Sequence, residues 1–322
     1  MNTQGKTPNK ALDFLREQAI PLIVLAAMIL IASILTPAFR SRINLLNLMI
    51  QNATNMVVSL GMFAAILSGG IDLSVGSVLA VAGVFSASFL NTMNLPLSII
   101  LTLLICAAIG FVNGAIISRF RIAPFIVTLG MMEFARGIAY WYTGSSPISW
   151  KTAPQAPAMK FIGMGRILGI PTLTVIMICM IALCWFIMKR TVIGRIVYAI
   201  GGNEKAVQLS GISVAKWKLF PYVFSALCAG VGGIMLAARL GVGAPTSGES
   251  LANDCIASVV IGGTSFTGGK GNIIGVIIGV FILGIINNIL DLMNVSSYPQ
   301  MMLKGAIIVV AVIMSTIKDK AE

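Results

Sequence analysis

Residues 95–117 read LPLSIILTLLICAAIGFVNGAII, a continuous segment without a charged side chain. An α-helix needs about 20 mainly apolar residues to cross roughly 30 Å of hydrocarbon, so this segment is long enough to span a membrane. Segments of the same kind recur along almost the whole chain. The sequence therefore predicts an all-α integral membrane protein that crosses the bilayer many times.

The composition excludes a water-soluble enzyme. Of the 322 residues, 57% are apolar and 10% are charged, and the mean hydropathy is +0.97, whereas soluble domains carry about 25% charged residues. The chain has no His, which excludes His triads, His metal sites and imidazole proton shuttles. Its five cysteines form no C-x-x-C pair and are interpreted as small core residues. We expect this chain to bind no cofactor or metal itself.

Ten segments are apolar enough to be candidate spans. They are Ile20–Leu35, Leu45–Leu67, Leu73–Leu90, Leu95–Ile117, Pro124–Tyr142, Pro171–Met188, Leu219–Leu240, Leu251–Ile261, Ile273–Met293 and Tyr298–Ile317. The eighth is too short for an ordinary crossing, so nine crossings plus a re-entrant segment is an alternative. Pro and Gly residues between Thr143 and Ile170 predict an irregular external loop.

The basic residues predict the orientation. With the amino terminus inside, fourteen fall in inner segments and six in outer ones, which is the asymmetry that sets membrane topology. The inner set is Lys6, Lys10, Arg16, Arg119, Arg121, Lys189, Arg190, Arg195, Lys205, Lys216, Lys218, Lys270, Lys318 and Lys320, and the outer set is Arg40, Arg42, Lys151, Lys160, Arg166 and Arg239. This distribution favours ten crossings with both termini cytoplasmic.

The same pattern indicates one polytopic membrane domain over residues 1–322, with a cytoplasmic amino-terminal segment at 1–19. The net charge of +12 is scattered between apolar segments. It forms no basic stripe of the kind that nucleic-acid binding needs, so lipid is the expected surroundings and no nucleic-acid partner is expected.

The longest inner segment, residues 189–218, contains a short predicted helix. Asn203 is a good N-cap, Glu204 lies in the first turn where the helix dipole favours an acid, and Gly211 stands where a glycine would end the helix. Ala206, Val207 and Leu209 would give the helix an apolar side. A helix of two turns is not stable alone, so it packs either on its own protein or on a partner.

Three motifs resemble one known family. They are SGGIDLSVGS at 68–77, GGNEKAVQLSGI at 201–212 and VVIGGTSFTGGKGNIIG at 259–275. In order and spacing they are similar to the permease subunits of bacterial ATP-binding-cassette importers for monosaccharides, the ribose-type branch, and the resemblance covers essentially the whole chain. It implies a type II importer-like permease in the cell inner membrane.

The resemblance also implies the partners. A cytoplasmic ATPase subunit would hold ATP and Mg, a periplasmic binding protein would deliver the sugar, and a second permease, either a copy or a paralogue, would complete the membrane part. Ribose is the first expectation for the cargo, with allose, galactose and xylose as alternatives. The segment that docks on the ATPase in this family corresponds here to Gly201, Gly202, Asn203, Glu204, Ala206, Leu209 and Gly211.

The chain lacks the means to hydrolyse ATP itself. A phosphate-binding P-loop has the pattern G-x-x-x-x-G-K-[ST], and its nearest match here surrounds Lys270. Thr264 stands where the first glycine belongs, and Gly271 stands where the hydroxyl belongs. The energy source is therefore expected on another polypeptide.

Two glycine-rich turns are candidates for a moving inner gate. Residues 69–76 and 262–269 share the pattern G-G-x-x-[LF]-[ST]-x-G at an offset of 193, through an internal repeat or through chance similarity of turns. The gate candidates are Gly69, Gly70, Asp72, Ser74, Gly262, Gly263 and Thr267. Tight turns and close helix contacts are the alternative explanation.

Polar side chains within the spans are candidates for the sugar pathway. Gln51, Asn55 and Ser59 follow at i, i+4 and i+8 on one helix face, and polar residues in lipid tend to face a bundle interior or a water-filled path. Interhelical hydrogen bonds are the alternative role.

Glu133 and Arg136 are close enough along one helix to form an ion pair. A proton- or sodium-coupled sugar carrier would instead use Glu133 as a titrating site, and a passive channel is a third possibility. Asp72, Asp254 and Lys304 lie near predicted membrane ends, where we expect them to be solvated.

Overall fold

A computed structural model describes residues 10–321, apart from the side chains of 10–18, 20, 315 and 318–321. Its helices are α1 Lys10–Leu35, α2 Arg42–Leu67, α3 Val75–Leu90, α4 Leu95–Phe120, α5 Pro124–Thr143, α6 Ala156–Met164, α7 Thr172–Arg190, α8 Val192–Leu209, α9 Val214–Leu240, α10 Leu251–Ile261, α11 Ile273–Leu292 and α12 Ser297–Ala321, with a 3-10 turn at Pro37–Arg40. Two-residue strands pair as β1 (Ile148–Ser149) with β4 (Val242–Gly243) and β2 (Arg166–Ile167) with β3 (Ile170–Pro171).

Every predicted apolar segment corresponds to a helix. Of the described helices, α2, α4, α7, α9, α11 and α12 are long and apolar enough to cross a membrane by themselves. Large apolar side chains, such as Ile34, Phe134 and Trp141, cover the outside of the bundle, as expected of a surface that faces lipid. The protein is therefore all-helical and built for a membrane. The amino-terminal residues 1–9 and the side chains of Lys6, Lys10, Arg16, Lys318 and Lys320 lie outside the described part.

The connections between the helices lie at the two ends of the bundle. We call one end the basic face and the other the loop face. The basic face holds the turn 68–74, the α4–α5 turn, α8 and the turn 262–272, which contact one another. The loop face holds residues 144–171 and the β1–β4 pair. Of the predicted inner basic residues, the nine with described side chains all belong to connections or helix ends of the basic face.

Helices α3 and α10 are shorter than most of the others, and both are preceded by a non-helical stretch. At 1.5 Å per residue, the 11 residues of α10 cover only about 16 Å. Their amino-terminal ends meet inside the bundle, where a Cβ on Gly76 would clash with the carbonyl oxygen of Gly248. The lead-in to α3 comes from the basic face, and the lead-in to α10, residues 244–250, comes from the loop face after β4.

Helix α9 is the central column of the bundle and packs most extensively on α4, α3 and α2. Close approach is possible because small residues stand at each contact: a Cβ on Gly110 of α4 would lie 2.5 Å from the Tyr222 carbonyl oxygen and 2.7 Å from the Ala226 Cβ. Gly61 of α2 lies similarly close to Ser225. Small residues at contacts of this kind are the usual basis of helix association in membranes.

The segment 144–171, predicted to be an irregular external loop, is more ordered than the sequence predicts. It contains α6 and three short strands, so the expectation of an irregular loop was wrong. The Trp150 Nε1 donates a hydrogen bond to the Ala237 carbonyl oxygen at 2.9 Å, and Met159 is fully buried. Buried aromatic and apolar side chains hold the segment on the end of α9, a tertiary contact that a Pro- and Gly-rich local sequence does not reveal.

The packing of α9 predicts the effect of a single methyl group. Gly110→Ala forces the Cβ into the Tyr222 carbonyl of α9 and should cost about 1–3 kcal/mol through overpacking. The control Gly137→Ala places a methyl group where no described atom lies within 4 Å, so it should leave stability unchanged or raise it through helix propensity. Thermal unfolding in detergent measures both, and equal melting midpoints for the two variants would contradict the packing.

Candidate coupling and transport site

The three glycine motifs meet at one point of the basic face. The backbone N–H of Gly269 donates a hydrogen bond to the Leu67 carbonyl oxygen, at the end of α2, over 2.9 Å. Gly201 covers this bond, because a Cβ there would clash with the Leu67 oxygen and the Gly269 nitrogen. Gly268 completes the contact, since its Cβ would lie 2.8 Å from the Gly69 Cα. We call Leu67, Gly69, Gly201, Gly268 and Gly269 the glycine junction.

The predicted short helix follows the junction. Helical hydrogen bonding continues through α8, but Asn203 leaves the helical conformation (φ −159°, ψ 94°), and its Oδ1 accepts a hydrogen bond from the Ala206 N–H at 3.0 Å. This is N-cap geometry, and Gly211 has the positive φ of +80° expected of a terminating glycine. The helical turns after Asn203 therefore form a unit of their own, joined to the glycine junction through Gly202.

The apolar side of this short helix differs from the prediction. Val207 is buried with Ile196, Ile200 and Val214, whereas Ala206 is exposed and Leu209 is 89% exposed. The Glu204 carboxylate accepts a hydrogen bond from the Lys218 ammonium group at 2.5 Å, in a partly exposed ion pair. Val207 and this ion pair hold the helix on its own protein, and Leu209 remains available on the surface.

Another side chain of α8 ties the same region to the α10–α11 turn. The Tyr198 hydroxyl donates to the Gly271 carbonyl oxygen at 2.9 Å, and burial raises the pKa of Tyr198 to about 12. A phenol is protonated at physiological pH even at its ordinary pKa of about 10, and the raised pKa extends this hydrogen bond into alkaline solution. The sequence alone does not predict the helix around Tyr198, because this segment lies between two spans and has a mixed composition.

The two glycine turns have the same local structure. After α2, the Gly69 N–H bonds to the Ile66 oxygen and the Gly70 N–H to the Ala65 oxygen; after α10, Gly263 and Thr264 bond to Val260 and Val259 in the same pattern. This pair of bonds ends both helices in the manner of a Schellman motif. It aligns Gly69 with Gly263, an offset of 194 rather than the 193 of the sequence alignment.

The gate candidates split into two groups. Gly69 faces the other turn, since its Cβ would lie 3.6 Å from the Thr267 carbonyl oxygen. Gly262 packs on Gly275 of α11 and Gly70 on the Tyr222 hydroxyl, whereas a Cβ on Gly263 would meet no described atom within 4 Å. The structure therefore brings Gly69 and Thr267 together, whereas Gly70 and Gly262 pack on α9 and α11, and Gly263 has no close neighbour among the described atoms.

Asp72 and Ser74 belong to the second group, and the expectation that Asp72 is solvated was wrong. Its side chain is fully buried, and its Oδ1 accepts hydrogen bonds from the Ser74 N–H at 3.0 Å and the Ser74 hydroxyl at 2.5 Å. Asn113 of α4 in turn donates to the Ser74 hydroxyl oxygen at 3.0 Å. These bonds fix the lead-in to α3 against α4.

Arg136 has a different partner from the one predicted. Its Nη1 donates to the carbonyl oxygens of Pro245 and, at 2.7 Å, Ser247, in the lead-in to α10, while Glu133 is exposed on α5. Asp254 is likewise not simply solvated, because it pairs with Lys304 at 3.1 Å. The Arg136 guanidinium group donates to backbone carbonyl groups that lie outside any helix. This need for hydrogen-bond donors explains why a charged side chain lies at membrane depth.

The predicted pathway residues lie toward the other end of α2. Gln51 and Asn55 line a polar cleft of about 700 Å³ on the loop face, together with residues of α10 and α12. At 1.5 Å per residue, Asn55 is about 18 Å along α2 from Leu67. Ser59, the third predicted member, is fully buried, and Thr54 takes its place in the lining. Helix α2 thus connects the polar cleft to the glycine junction.

Comparison with known proteins identifies the class of membrane protein. Residues 44–312 match the family described as the permease component of the branched-chain amino acid transport system, which is most of the chain. The chain belongs to this permease family. It is 43% identical over 302 residues to the ribose import permease protein of Haemophilus influenzae, covering 93% of both chains.

Other relatives of the permease are similar over nearly their whole length. It is 40% identical over 319 residues to the ribose import permease protein of Bacillus subtilis, covering 98% of both chains. It is 34% identical over 325 residues to the galactose/methyl galactoside import permease protein of Escherichia coli, covering 95% of this chain and 96% of the relative. No solved structure matches. The family resemblance is confirmed, and the permease is a multi-pass protein of the inner membrane.

Proposed function

We propose that this permease is the membrane-spanning subunit of an ATP-binding-cassette importer that carries ribose or a similar monosaccharide inward. The permease is similar over nearly the full length to relatives that are named ribose and galactose import permeases. It is a transport subunit rather than an enzyme, and ATP with Mg is bound and hydrolysed on a separate cytoplasmic ATPase. An external binding protein delivers the sugar, and a second copy of the permease completes the pathway.

One observation carries the mechanism: the glycine junction links the docking segment to two membrane helices. Leu209 and Glu204 lie on an exposed helix that begins one residue after Gly202, and Gly201 touches the end of α2. Movement of a docked ATPase would therefore be passed through backbone contacts to α2 and to the α10–α11 turn. The turns at Gly69 and Thr267 act in this proposal as the inner gate.

The topology in this proposal has ten crossings with both termini cytoplasmic, in a single domain. The chain from Gly241 to Gly263 begins at the loop face beside β4 and ends at the basic face near the glycine junction. It supports a crossing that is part turns and part helix, in place of a re-entrant segment. The basic residues of the basic face support its cytoplasmic position.

A sugar carrier driven by ions is the second candidate, and the structure gives no support to its sequence candidate, Glu133. That function depends on a titrating carboxylate in the pathway, for which Glu133 was the sequence candidate. Glu133 is exposed on α5, and the neighbouring Arg136 is engaged with the 244–250 segment. Both groups lie outside the described lining of the polar cleft.

Uptake by reconstituted vesicles tests the function. With this chain, its copurified ATPase, the binding protein and ATP, labelled ribose should accumulate, and omission of the ATPase or of ATP should abolish accumulation. Uptake that follows a proton or sodium gradient without ATPase would indicate a carrier. Equilibration that needs neither would indicate a channel, and either result would contradict the proposal.

Docking through the short helix predicts a loss of binding when its exposed side chains change. The double change Glu204→Ala and Leu209→Ser should weaken ATPase binding at least about tenfold, since burial of one Leu side chain contributes about 1.5–3 kcal/mol. Leu168→Ser is the matched control, because Leu168 is 98% exposed on the loop face. Copurification of the ATPase measures the effect.

The control should retain the ATPase fully, and all variants should remain in the membrane. Undiminished copurification after the double change would remove the docking assignment from this helix.

A further inference from the structure

We propose that the polar cleft on the loop face is a binding site for the transported sugar within the permease itself. This inference rests on the proposed function and adds to it a place where the sugar pauses between the binding protein and the inner gate. The cleft of about 700 Å³ lies within the usual size range of small-molecule sites. Its chemistry indicates a neutral polyhydroxyl ligand, as the following contacts show.

One wall of the cleft is a face of α2 with an unpaired hydroxyl. Gln51, Thr54 and Asn55 are spaced at i, i+3 and i+4, so they share one helix face. Thr54 is only 4% exposed, and its Oγ1 has no hydrogen-bond partner among the described residues. Its methyl group lies toward Gly232 of α9. A buried unpaired hydroxyl destabilises the protein. Its oxygen has almost no accessible surface in the structure, so the proposal requires the sugar to shift the lining as it enters and to bond this oxygen with one of its hydroxyls.

Another part of the lining holds an ion pair with spare bonding capacity. The Asp254 Oδ2 of α10 lies 3.1 Å from the Lys304 Nζ of α12, and both side chains are largely buried. A carboxylate accepts about four hydrogen bonds and an ammonium donates three, so each group can still bond a hydroxyl while paired. The amide of Asn253 adds a donor and an acceptor beside them.

The charges of the lining balance. Arg239 and Lys304 are matched by Glu249 and Asp254, so the cleft favours neither an anion nor a cation. Its amides, by contrast, both donate and accept, as sugar hydroxyls do. The described lining residues include no aromatic side chain on which a ring could stack. Binding should therefore be weak, which suits a ligand that must leave again.

Saturation-transfer NMR on the permease–ATPase complex in nanodiscs tests the site directly. Ribose is the probe, the binding protein is omitted so that it does not compete, and cyclohexanol is the comparison with one hydroxyl. The wild type should transfer saturation to ribose and not to cyclohexanol. Gln51→Leu and Thr54→Val should each weaken ribose binding about three- to tenfold, through loss of one hydrogen bond.

The control Gln155→Leu makes the same chemical change at an exposed glutamine of the loop face, so it should bind ribose as the wild type does. Thr54→Val keeps the side-chain shape and removes the unpaired hydroxyl, so its melting midpoint should rise or stay the same while ribose binding falls. A purely structural role for Thr54 would not give this combination.

Absence of transfer in the wild type, or equal transfer in the wild type, Gln51→Leu and Thr54→Val, would overturn the site. The vesicle uptake assay separates this failure from failure of the proposed function. If the wild-type complex imports ribose with ATP and both variants import it at the same rate, only the cleft site is wrong. If the wild-type complex imports no ribose, the function is wrong.

Discussion

The arrangement of the basic face depends on one backbone hydrogen bond, from the Gly269 N–H to the Leu67 carbonyl oxygen. Leu67 ends α2, and Gly269 belongs to the turn before α11. Gly201 lies so close to the bond that a side chain at position 201 would clash with both bonded atoms. Three segments far apart in the chain are thereby held together by backbone rather than by side chains. Such a contact passes the movement of one segment directly to the next, because packed backbone cannot absorb it by changing a side-chain rotamer.

The same use of small residues explains the middle of the bundle. Gly76, at the start of α3, and Gly248, in the non-helical lead-in to α10, let these two segments meet inside the protein, and Arg136 supplies donors for carbonyl groups of the lead-in. Backbone without helical hydrogen bonds is tolerated at membrane depth only where protein or water satisfies it. Short helices with Gly-interrupted approaches are typical of transport pathways. In this protein they lie between the polar cleft and the glycine junction.

Much of this organisation follows from the sequence, in particular the ten apolar segments and the cap at Asn203. Long apolar runs and a Gly-Gly-Asn-Glu sequence are local signals, and they need no tertiary contact to be interpreted. Arg136, Thr54 and Leu209 were assigned differently or missed, because their environments depend on segments distant in sequence. Helical spacing predicted an ion pair for Arg136 and an apolar side shared by Val207 and Leu209. In the structure, Arg136 instead donates to the lead-in to α10, and Leu209 is exposed while Val207 is buried.

The central claim is that the glycine junction couples ATP hydrolysis to sugar import. It is tested most directly by the ratio of ribose imported to ATP hydrolysed in vesicles that carry Gly201→Ala, beside Gly137→Ala as control. A Cβ at position 201 clashes with the junction, whereas one at position 137 of α5 meets no described atom within 4 Å. Gly201→Ala should still retain the ATPase and hydrolyse ATP, with a ratio at least about tenfold lower, equivalent to about 1.4 kcal/mol of coupling, and Gly137→Ala should keep the wild-type ratio. A wild-type ratio in Gly201→Ala would contradict the account.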